Sequence, residues 1–407
     1  MLVRMTAREH DLVLHGATGF VGKLTAKHLA KTAGTAKIAL SGRSPDKLKA
    51  LTDELGVDWP VVVADAADES TLKALAESTT AVATTVGPYA KYGWPLVRAC
   101  AEAGTSYADL TGEVLFVRDS HAELHKVAKD SGARIVHATG FDSVPSDLGV
   151  LMLHEQARKD GEGTLEDTVL LVASMRGGVS GGTIDSLRTM LDAVKADKQL
   201  RPVMVDPYSL SPDRILEPDL EGRDVMTPTK DPLLGRWVAP FVMAPYNTRI
   251  VRRSNALLGH AYGPGFRYRE VMSVGKSPLA PVLAGGVTVG VGALAAGMAL
   301  PGTRNLLDRV LPKPGEGPSV KAQEKGHFRC EIHTVTTTGA RYVATVAALG
   351  DPGYSATAVM FGQSGLCLGV DPLTSEGGVL TPAVAMGDAL ADRLRGQGFT
   401  LTVERES

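Results

Sequence analysis

The feature that most constrains the fold of this chain is a glycine-rich turn near its amino terminus. Residues 16–22 read GATGFVG and lie between a short apolar run at 11–15 and a stretch with helical spacing at 20–32. In such a strand–turn–helix unit, the glycines allow a tight turn, admit a pyrophosphate and let the helix pack closely. The spacing is GxxGxxG, and a plain tight turn is the alternative. We predict a dinucleotide site formed by Gly16, Thr18, Gly19, Phe20, Val21 and Gly22.

The residues that follow repeat the same strand-and-helix alternation. Strands are predicted at 11–15, 37–41, 61–64, 81–86, 106–109 and 134–137, and helices at 20–32, 45–55, 70–77, 95–103 and 122–131. Short apolar strands that alternate with helices favour a parallel sheet with right-handed crossovers. The pattern therefore predicts an α/β fold, with a doubly wound Rossmann domain over residues 6–150.

A chain of 407 residues is too long for one ordinary core, and the alternation stops after Leu153. A strand at 165–175, a helix at 183–196 and a hairpin at 328–337 and 341–349 predict a second, α+β domain for substrate or dimerisation over 151–350. Helices at 351–368 and 382–395 are predicted to pack back on the Rossmann domain, as a third part over 351–407. We expect the protein to form a homo-oligomer.

The end of the second predicted strand indicates which dinucleotide binds. Enzymes that use NAD place an acidic residue there for the ribose 2′-hydroxyl, whereas this chain has Ser41, Gly42 and Arg43. An arginine can stack on adenine and pair with a 2′-phosphate. The prediction is NADP(H), with a solvated loop arginine as the alternative.

Two further strand ends are candidate cofactor contacts. Asp65 ends the third strand, where a carboxylate can meet the adenine amino group, and helix capping by Asp65 or Asp68 is the alternative. The turn after the fourth strand contains Val86, Gly87 and Pro88. Because it lies at the carboxyl edge of the sheet, we expect it to contact the nicotinamide, with an ordinary turn as the alternative.

Composition excludes several classes of partner. The net charge is −2 and no long basic run occurs, so we expect no nucleic-acid partner. The three cysteines are far apart, which predicts neither a disulfide framework nor a zinc site and is typical of a reducing cytoplasm. His121 and His125 have metal-ligand spacing, but no third ligand is evident, and a solvated helix face is the favoured interpretation. No metal is predicted, and the amino terminus shows no signal peptide.

An uncharged segment at 277–303 departs from this cytosolic pattern. Its length suits a bilayer-spanning helix, but it is rich in glycine and alanine and is bracketed by Pro278, Pro281 and Pro301. A buried hairpin, a subunit interface or a segment lying on a lipid surface is favoured over a membrane span. The expectation is a cytoplasmic protein that can make peripheral membrane contact.

The commonest chemistry of such a cofactor domain is missing. Short-chain dehydrogenases use a Tyr-xxx-Lys pair, and no tyrosine here is followed by lysine at that spacing. Asp109 and Glu113 could form a carboxylate pair for acid–base catalysis, or could equally cap the next helix. The sequence contains no nucleophile elbow and no P-loop.

Several motifs together resemble a known family. They are VGPY at 86–89, YG at 92–93, ACAEAG at 99–104, YADLTGE at 107–113, GFDSVPSDLG at 140–149, SGGT at 180–183 and GGVLTPA at 377–383. The chain is similar to the saccharopine dehydrogenase-like oxidoreductases, and most similar to the mycobacterial trans-acting enoyl reductases. The resemblance implies a Rossmann fold, NADP(H), and reduction of an enoyl thioester in partnership with a polyketide synthase during cell-wall lipid synthesis.

Three functions are weighed. The first is hydride transfer to an enoyl thioester, with Tyr89, Ser143 and the N–H groups near residues 181–183 as candidates to stabilise the enolate or supply a proton. Helix capping by Ser143 and a simple turn at 181–182 are the alternatives. The second is a saccharopine-type dehydrogenase acting on a secondary amine, with substrate-binding arginines at 249, 252 and 253 that could instead form a surface patch. The third is a non-catalytic NADP-binding scaffold at a lipid surface.

Overall fold

Two seven-stranded sheets organise the residues that the computed structural model describes, which are 8–177, 181–218, 224–299, 303 and 317–406. The strands are β1 (His10–His15), β2 (Ile38–Gly42), β3 (Val61–Val63), β4 (Thr79–Thr84), β5 (Ser106–Asp109), β6 (Arg134–Val136), β7 (Leu165–Arg176), β8 (Thr229–Lys230), β9 (Trp237–Pro240), β10 (Arg267–Ser273), β11 (His327–Thr336), β12 (Arg341–Leu349), β13 (Gly378–Leu380) and β14 (Thr400–Arg405). The helices are α1 (Phe20–Thr32), α2 (Pro45–Leu55), α3 (Glu69–Ser78), α4 (Tyr89–Tyr92), α5 (Trp94–Ala103), α6 (Val114–Ser131), α7 (Val144–Lys159), α8 (Gly181–Ala196), α9 (Arg201–Val205), α10 (Ala244–Leu257), α11 (Ala280–Ala299), α12 (Val320–Glu324), α13 (Ser355–Val370) and α14 (Pro382–Gly396).

The first sheet is parallel throughout, in the order β13-β6-β5-β4-β1-β2-β3. Without β13, this is the order 3-2-1-4-5-6 of the doubly wound dinucleotide-binding fold, so the predicted fold class is confirmed. Leu14 in the central strand pairs with Leu40 of β2 and Ala83 of β4. All three side chains are fully buried, as expected for a parallel sheet covered by helices on both faces.

Helices with one buried face begin and end where the sequence predicts. In α1, Gly22, Thr25, Ala26 and Leu29 are buried at helical spacing, and in α2 the N-cap Ser44 precedes a proline in the first turn. By contrast, α6 begins eight residues before its predicted start. Its first four residues, 114–117, are all apolar and buried, so this turn carries no amphipathic signal.

The second sheet is mixed, in the order β14-β12-β11-β7-β10-β9-β8. Strands β7 and β10 are parallel, and the other pairs are antiparallel. The predicted hairpin is present as β11 and β12, in which His333 lies opposite Val343. Gly339 closes its turn with a φ of +86°, a conformation that glycine adopts at little cost.

Helix α7 connects β6 of the first sheet to β7 of the second. It packs against α10 and α14 and against β11 and β12 of the second sheet. Its residues 144–153 are buried on every side, and a Cβ on Gly149 would lie 2.6 Å from Ile332 Cδ1. A helix buried all round has no apolar stripe, which is why the sequence pattern breaks there.

The carboxyl-terminal segment contributes to both sheets. Helix α13 packs across β1, β4 and β5 and against α1, and a Cβ on Gly369 would lie 2.5 Å from the Asp11 carbonyl oxygen. Strand β13 extends the first sheet beside β6, while β14 pairs with β12 at the edge of the second. Only part of residues 351–407 therefore packs on the Rossmann domain.

Helix α11 occupies most of the uncharged segment, so the expectation of a buried hairpin there is wrong. Leu279, Val282, Leu283 and Val289 are 52–71% exposed. Among the described residues, Ala280–Met298 is the only helical stretch long and apolar enough to cross a membrane by length and composition, and 12% of it is buried. Its methyl-rich surface is therefore largely uncovered by the other residues that the structure describes.

Candidate active site

A cleft of about 490 Å³ opens at the carboxyl ends of β1 and β4. This size lies within the range of small-molecule sites. Eight of the predicted site residues line it, namely Gly19, Phe20, Val21, Arg43, Val86, Gly87, Pro88 and Tyr89. Residues that follow the predicted Rossmann domain in the chain, among them Asp185 of α8 and Tyr354, also line it. The cleft therefore lies where the first sheet meets the elements that follow it.

The glycine turn has the shape that a pyrophosphate site requires. Gly16 has a φ of +79°, and a Cβ there would lie 2.6 Å from Thr85 Oγ1. A Cβ on Gly22 would lie 2.3 Å from the Gly16 carbonyl oxygen, so only glycine lets α1 approach the turn. Gly19 precedes α1 and is exposed, so the first N–H groups of that helix are open to the cleft. These residues fit the phosphates of a dinucleotide.

The loop after β2 offers positive charge on the same cleft. Arg43 is exposed and lines the cleft, and the N-cap Ser44 makes no side-chain capping bond to α2. A guanidinium, a free hydroxyl and a helix amino terminus together suit a phosphate dianion. The residues at this position therefore fit a 2′-phosphate.

Three predicted cofactor residues contact or form part of the glycine turn but do not line the cleft. The Ser41 carbonyl oxygen accepts from the N–H groups of Gly16 at 2.9 Å and Ala17 at 3.1 Å. A Cβ on Gly42 would lie 4.0 Å from Thr18 Oγ1, so these two residues are in contact range. Ser41, Gly42 and Thr18 thus position the glycine turn.

Asp65 lies outside the cleft lining. Its carboxylate accepts the Ala67 N–H at 3.0 Å, which closes the turn after β3. Helix α3 is capped instead by Asp68, which accepts from the N–H groups of Ser70 and Thr71. The geometry favours a turn role for Asp65 over the predicted adenine contact.

A buried carboxylate organises the nicotinamide end of the cleft. Glu113 accepts the N–H of Tyr89 and of Ala90, both at 2.8 Å, and so caps the short helix α4. Ser186 of α8 donates to the same carboxylate at 2.8 Å, which connects the two parts of the cleft wall. Burial raises the pKa of Glu113 above its ordinary value. The predicted cap of the next helix is wrong for this residue, because Glu113 makes no side-chain capping bond to α6 and caps the preceding helix instead.

The Tyr89 hydroxyl forms hydrogen bonds with two backbone groups. It donates to the Thr84 carbonyl oxygen at 3.1 Å and accepts the Leu110 N–H at 3.1 Å. Burial, with the Asp109 carboxylate close by, raises its pKa well above 10. The contacts favour a structural role for Tyr89 in place of the predicted proton donor.

Ser143 lies outside the cavity linings at the start of α7. Its hydroxyl donates to Asn247 Oδ1 at 3.4 Å, and Asn247 in turn donates to Glu270 at 3.0 Å. Tyr268 donates to the same carboxyl at 2.9 Å. Ser143 therefore belongs to a buried polar cluster between α7, α10 and β10, and the predicted catalytic role has no support from its position.

The histidines on α6 and after β6 contact other polar side chains. Asp109 accepts from His137 at 2.7 Å, so this carboxylate is paired and is not open for acid–base chemistry. His121 and His125 are half-buried, with ring centroids 4.6 Å apart, and His121 faces Arg253 at 3.0 Å. The predicted solvated helix face is therefore wrong for this pair. Among the residues described, no group of three metal-ligating side chains occurs.

A second cavity of about 180 Å³ opens beside the cofactor cleft. It shares three lining residues with that cleft, namely Leu110, Asp142 and Ser186. Its remaining walls are largely apolar and include Ile184, Leu187, Met190, Met204, Met243 and Met298. Methionine side chains adapt to ligands of varied shape. Because Met298 belongs to α11, the apolar helix ends at this cavity.

The three arginines of α10 are buried and paired. Arg249 donates to the carbonyl oxygens of Met204 and Pro245 and pairs with Asp224. Arg252 donates to backbone carbonyls at 207 and 268, and Arg253 to those at 210 and 379. The prediction of a surface patch is wrong for these residues, and their donors serve the fold rather than a substrate carboxylate.

Asp142 is the site residue that the sequence prediction missed. It lies in the GFDSVPSDLG motif, after β6 and before α7, and lines both cavities. Burial raises the pKa of its carboxyl to about 7. Its position just after a strand at the carboxyl edge of a parallel sheet is the signal that could have identified it.

Comparison with known proteins identifies the family of this chain. The family model of the saccharopine dehydrogenase NADP binding domain matches residues 12–136. A Mycobacterium tuberculosis H37Rv protein, named as a candidate trans-acting enoyl reductase, is 53% identical, covering 98% of this chain and 99% of the relative. The trans-acting enoyl reductase of Mycobacterium ulcerans Agy99 is 49% identical, covering 98% of each. Apo saccharopine dehydrogenase (L-Glu forming) from Saccharomyces cerevisiae is 10% identical, with a TM-score of 0.47, covering 97% of this chain and 99% of that one. The predicted resemblance is confirmed.

Proposed function

This chain belongs to the trans-acting enoyl reductase family, and on that premise we propose that it reduces the carbon–carbon double bond of an enoyl thioester. It is an NADP-dependent oxidoreductase with a saccharopine dehydrogenase-like cofactor domain. When bound, NADPH supplies the hydride. The chain's own task is to hold the acyl group beside the cofactor, exclude water and provide a proton.

The observation that carries this proposal is the methionine-lined cavity beside the cofactor cleft. The two cavities meet at Leu110, Asp142 and Ser186, so a ligand in one borders a ligand in the other. An apolar wall gains free energy from burying hydrocarbon and gives little to a charged amino acid. The arrangement therefore suits an acyl chain whose reactive end points into the cleft.

The reaction also needs a hydrogen-bond donor for the enolate oxygen that develops on the thioester. Gly181 and Gly182 line the cleft at the start of α8. The Gly181 N–H donates to the Tyr354 hydroxyl at 3.2 Å. The first N–H groups of a helix have no partner within it, so the Gly182 N–H is the donor that we assign to the enolate.

A saccharopine-type reaction is the weaker candidate. Its substrate carries several carboxylates, which need cationic side chains free to bind them. The arginines of α10 are instead paired with backbone carbonyls and with Asp224. Incubation with lysine and 2-oxoglutarate in the presence of NADPH separates the two reactions, and we expect no turnover.

A pocket-filling variant tests the proposal directly. Met190→Trp would narrow the apolar cavity, so we expect a higher KM for long-chain enoyl thioesters, with NADPH affinity and short-chain turnover kept. Met226→Trp is the matched control because Met226 is 62% exposed and lies outside the cavity. An equal effect of Met190→Trp on long and short substrates would argue against an acyl pocket, and no wild-type turnover with any enoyl thioester would favour a non-catalytic scaffold.

We further propose that the thioester is presented by a polyketide synthase carrier domain, as the family resemblance implies. An acyl group carried by another protein must enter the cavity from outside. The α11 end of the cavity, at Met298, is the entrance that we assign to it. Turnover of an enoyl group on an isolated carrier domain at lower concentration than the matching coenzyme A thioester would support this partner.

We also propose that the protein is cytoplasmic and touches membranes peripherally through α11. The exposed side chains at 279, 282, 283 and 289 follow helical spacing, so they share one face. Beside the start of this helix, a groove holds the exposed Trp237 and more basic than acidic side chains, namely Lys230, Arg236, Lys276 and Arg341 against Glu331 and Glu406. An apolar face beside basic and aromatic residues suits an anionic lipid surface.

Vesicle flotation tests the membrane contact. We expect binding to phosphatidylglycerol vesicles, weaker binding to phosphatidylcholine vesicles, and loss of binding when Leu279, Val282, Leu283 and Val289 are all replaced by serine. Light scattering in the same buffers measures the predicted homo-oligomer. Loss of self-association in the serine variant, without any vesicle binding by the wild type, would assign this face to a second copy of the chain instead.

A further inference from the structure

Asp142 and Asp185 are the carboxyl groups that line the cofactor cleft, and only Asp142 also lines the apolar cavity. Its side chain is half-buried and forms part of the wall where the cofactor cleft and the apolar cavity meet. Among the described residues, no hydrogen bond or ion pair to its carboxyl occurs. A carboxyl that the fold does not use is open to a ligand in the cavities it lines.

Neighbouring buried carboxyls show the contrast. Asp109 accepts from His137 and from two backbone N–H groups. Glu113 accepts from two backbone N–H groups and Ser186. Asp147 accepts from Ser254 and from the Ala383 N–H, while Glu270 accepts from two side chains. Each of these carboxyls is used by the fold, whereas that of Asp142 is left facing the cavities.

We propose that Asp142 is the acid that protonates the α-carbon of the enoyl thioester, an assignment that rests on the proposed function. The residue lies on the wall that borders both the cofactor cleft and the acyl cavity, where the reacting carbons have to be. The carboxyl is attached to the turn that joins β6 to α7, so it is held by the sheet edge and a buried helix rather than by a mobile loop.

The step balances as follows. Hydride reaches the β-carbon, and the electron pair of the double bond moves toward the thioester to give an enolate. The enolate then forms a C–H bond at the α-carbon as the O–H bond of the Asp142 carboxyl breaks. The carboxyl becomes a carboxylate and regains a proton from solvent after the saturated thioester leaves. One NADPH and one proton are consumed for each double bond reduced.

The protonation state of Asp142 suits this role near neutral pH. Burial raises the pKa of its carboxyl to about 7 from an ordinary value of 3.8. A general acid works best when its pKa lies near the working pH. The charged and titratable groups that line the two cavities with it are Arg43, Tyr89, Asp185, Tyr246, Arg249 and Tyr354, with Glu113 behind Ser186.

The earlier candidates do not compete for this step. The Tyr89 hydroxyl donates its hydrogen bond to the Thr84 carbonyl oxygen, and Ser143 faces Asn247 outside both cavities. Asp185 lines the cofactor cleft but not the apolar cavity, so it does not border an acyl group seated there. Asp142 is the acidic side chain common to the two linings.

The test compares Asp142→Asn and Asp142→Glu with the wild type. The amide cannot donate an acidic proton, so we expect kcat to fall at least about 100-fold while NADPH affinity measured by fluorescence stays within about twofold. The wild-type kcat/KM should be level at low pH and fall as pH rises through about 7, because the working form is the protonated acid. Asp142→Glu should recover part of the wild-type rate, and its kcat/KM should also fall as pH rises. The residual kcat/KM of Asp142→Asn should not fall through this range.

Infrared difference spectra provide a readout that needs no turnover. In the protein without cofactor, wild type minus Asp142→Asn should show a protonated-carboxyl band that disappears as pH rises through about 7. The control is Asp130→Asn, because Asp130 is an exposed carboxylate on α6 paired with Lys126. Its rate and pH profile should match those of the wild type.

The outcomes separate this assignment from the proposed function. Wild-type reduction of an enoyl thioester, together with an unchanged rate and pH limb in Asp142→Asn, would overturn the role of Asp142 and leave the proposed function standing. No wild-type reduction of any enoyl thioester would overturn the proposed function, and the role of Asp142 with it. We expect Asp142→Asn to bind NADPH normally, to turn over at least about 100-fold more slowly, and to lose the fall in kcat/KM with rising pH.

Discussion

Replacing Arg43 by alanine separates recognition of NADPH from recognition of NADH. Arg43 is exposed on the loop after β2, beside an uncapped α2 amino terminus. A hydrogen bond to a charged phosphate is stronger than a neutral one, but water and salt weaken it at an exposed position. We therefore expect Arg43→Ala to weaken NADPH binding about 10- to 100-fold and to leave NADH binding within about twofold.

The assay is fluorescence titration of both cofactors at two ionic strengths. The wild-type preference for NADPH should shrink at higher salt, because the contact with the 2′-phosphate is electrostatic. Lys49→Ala is the control, since Lys49 is an exposed cation further along α2. An unchanged ratio of the NADPH and NADH dissociation constants in Arg43→Ala would refute the assignment of the 2′-phosphate to this loop.

Three further predictions follow from the packing around the site. Gly22→Ala should lower the free energy of unfolding by about 1–3 kcal/mol and impair NADPH binding, because its Cβ would lie 2.3 Å from the Gly16 carbonyl oxygen. The control is Gly396→Ala, where nothing lies within 4 Å, and chemical denaturation gives the free energy of unfolding of both variants. Tyr89→Phe should keep most of the turnover and lose about 1–3 kcal/mol of stability, because it leaves two buried backbone groups unpaired; a loss of turnover with unchanged stability would restore its catalytic role. Thermal unfolding should show stability falling as pH rises from 6.5 to 8. In the folded state the pKa values of the Asp142, Asp147 and Glu270 carboxyls are raised to about 7. The folded protein therefore holds protons that the unfolded chain has released, and it loses this advantage as they dissociate. The buried His15 and His28, with pKa values lowered to about 4, have the opposite effect, which is nearly complete by about pH 7 because the unfolded histidines, with pKa values of about 6.5, have by then released their protons.

The cofactor half of the molecule could be predicted because its signals are local. The glycine turn, the apolar strands and the one-sided helices α1 and α2 each depend on neighbours in sequence. The strand order follows from right-handed crossovers between consecutive strands. The residues that line the cleft come from strand ends, where parallel sheets bind their ligands.

Helix α10 shows why the second half was harder to predict. It contains three arginines and is polar in composition, yet residues 246–255 are all buried. The arginines are satisfied by backbone carbonyls far along the chain, such as that of Val379 for Arg253. Nothing in the local sequence marks such partners, so a surface patch was the natural expectation.

Asp142 and α11 were incompletely predicted for a related reason. The motif that contains Asp142 is visible in the sequence, but whether its carboxyl is capped or faces a cavity depends on α8 and α10, which are distant in sequence. For α11, composition indicates a helix with little charge. Only the folded chain shows that its far end, at Met298, reaches the apolar cavity.

Product analysis with deuterated NADPH tests directly whether this protein reduces an enoyl thioester. The purified protein is incubated with a long-chain enoyl thioester and NADPH that carries deuterium at C4, and the thioester is examined by mass spectrometry and NMR. We expect a saturated thioester with the label on the β-carbon and a solvent-derived proton on the α-carbon. Recovery of the unsaturated thioester, under conditions in which the protein binds NADPH, would contradict it.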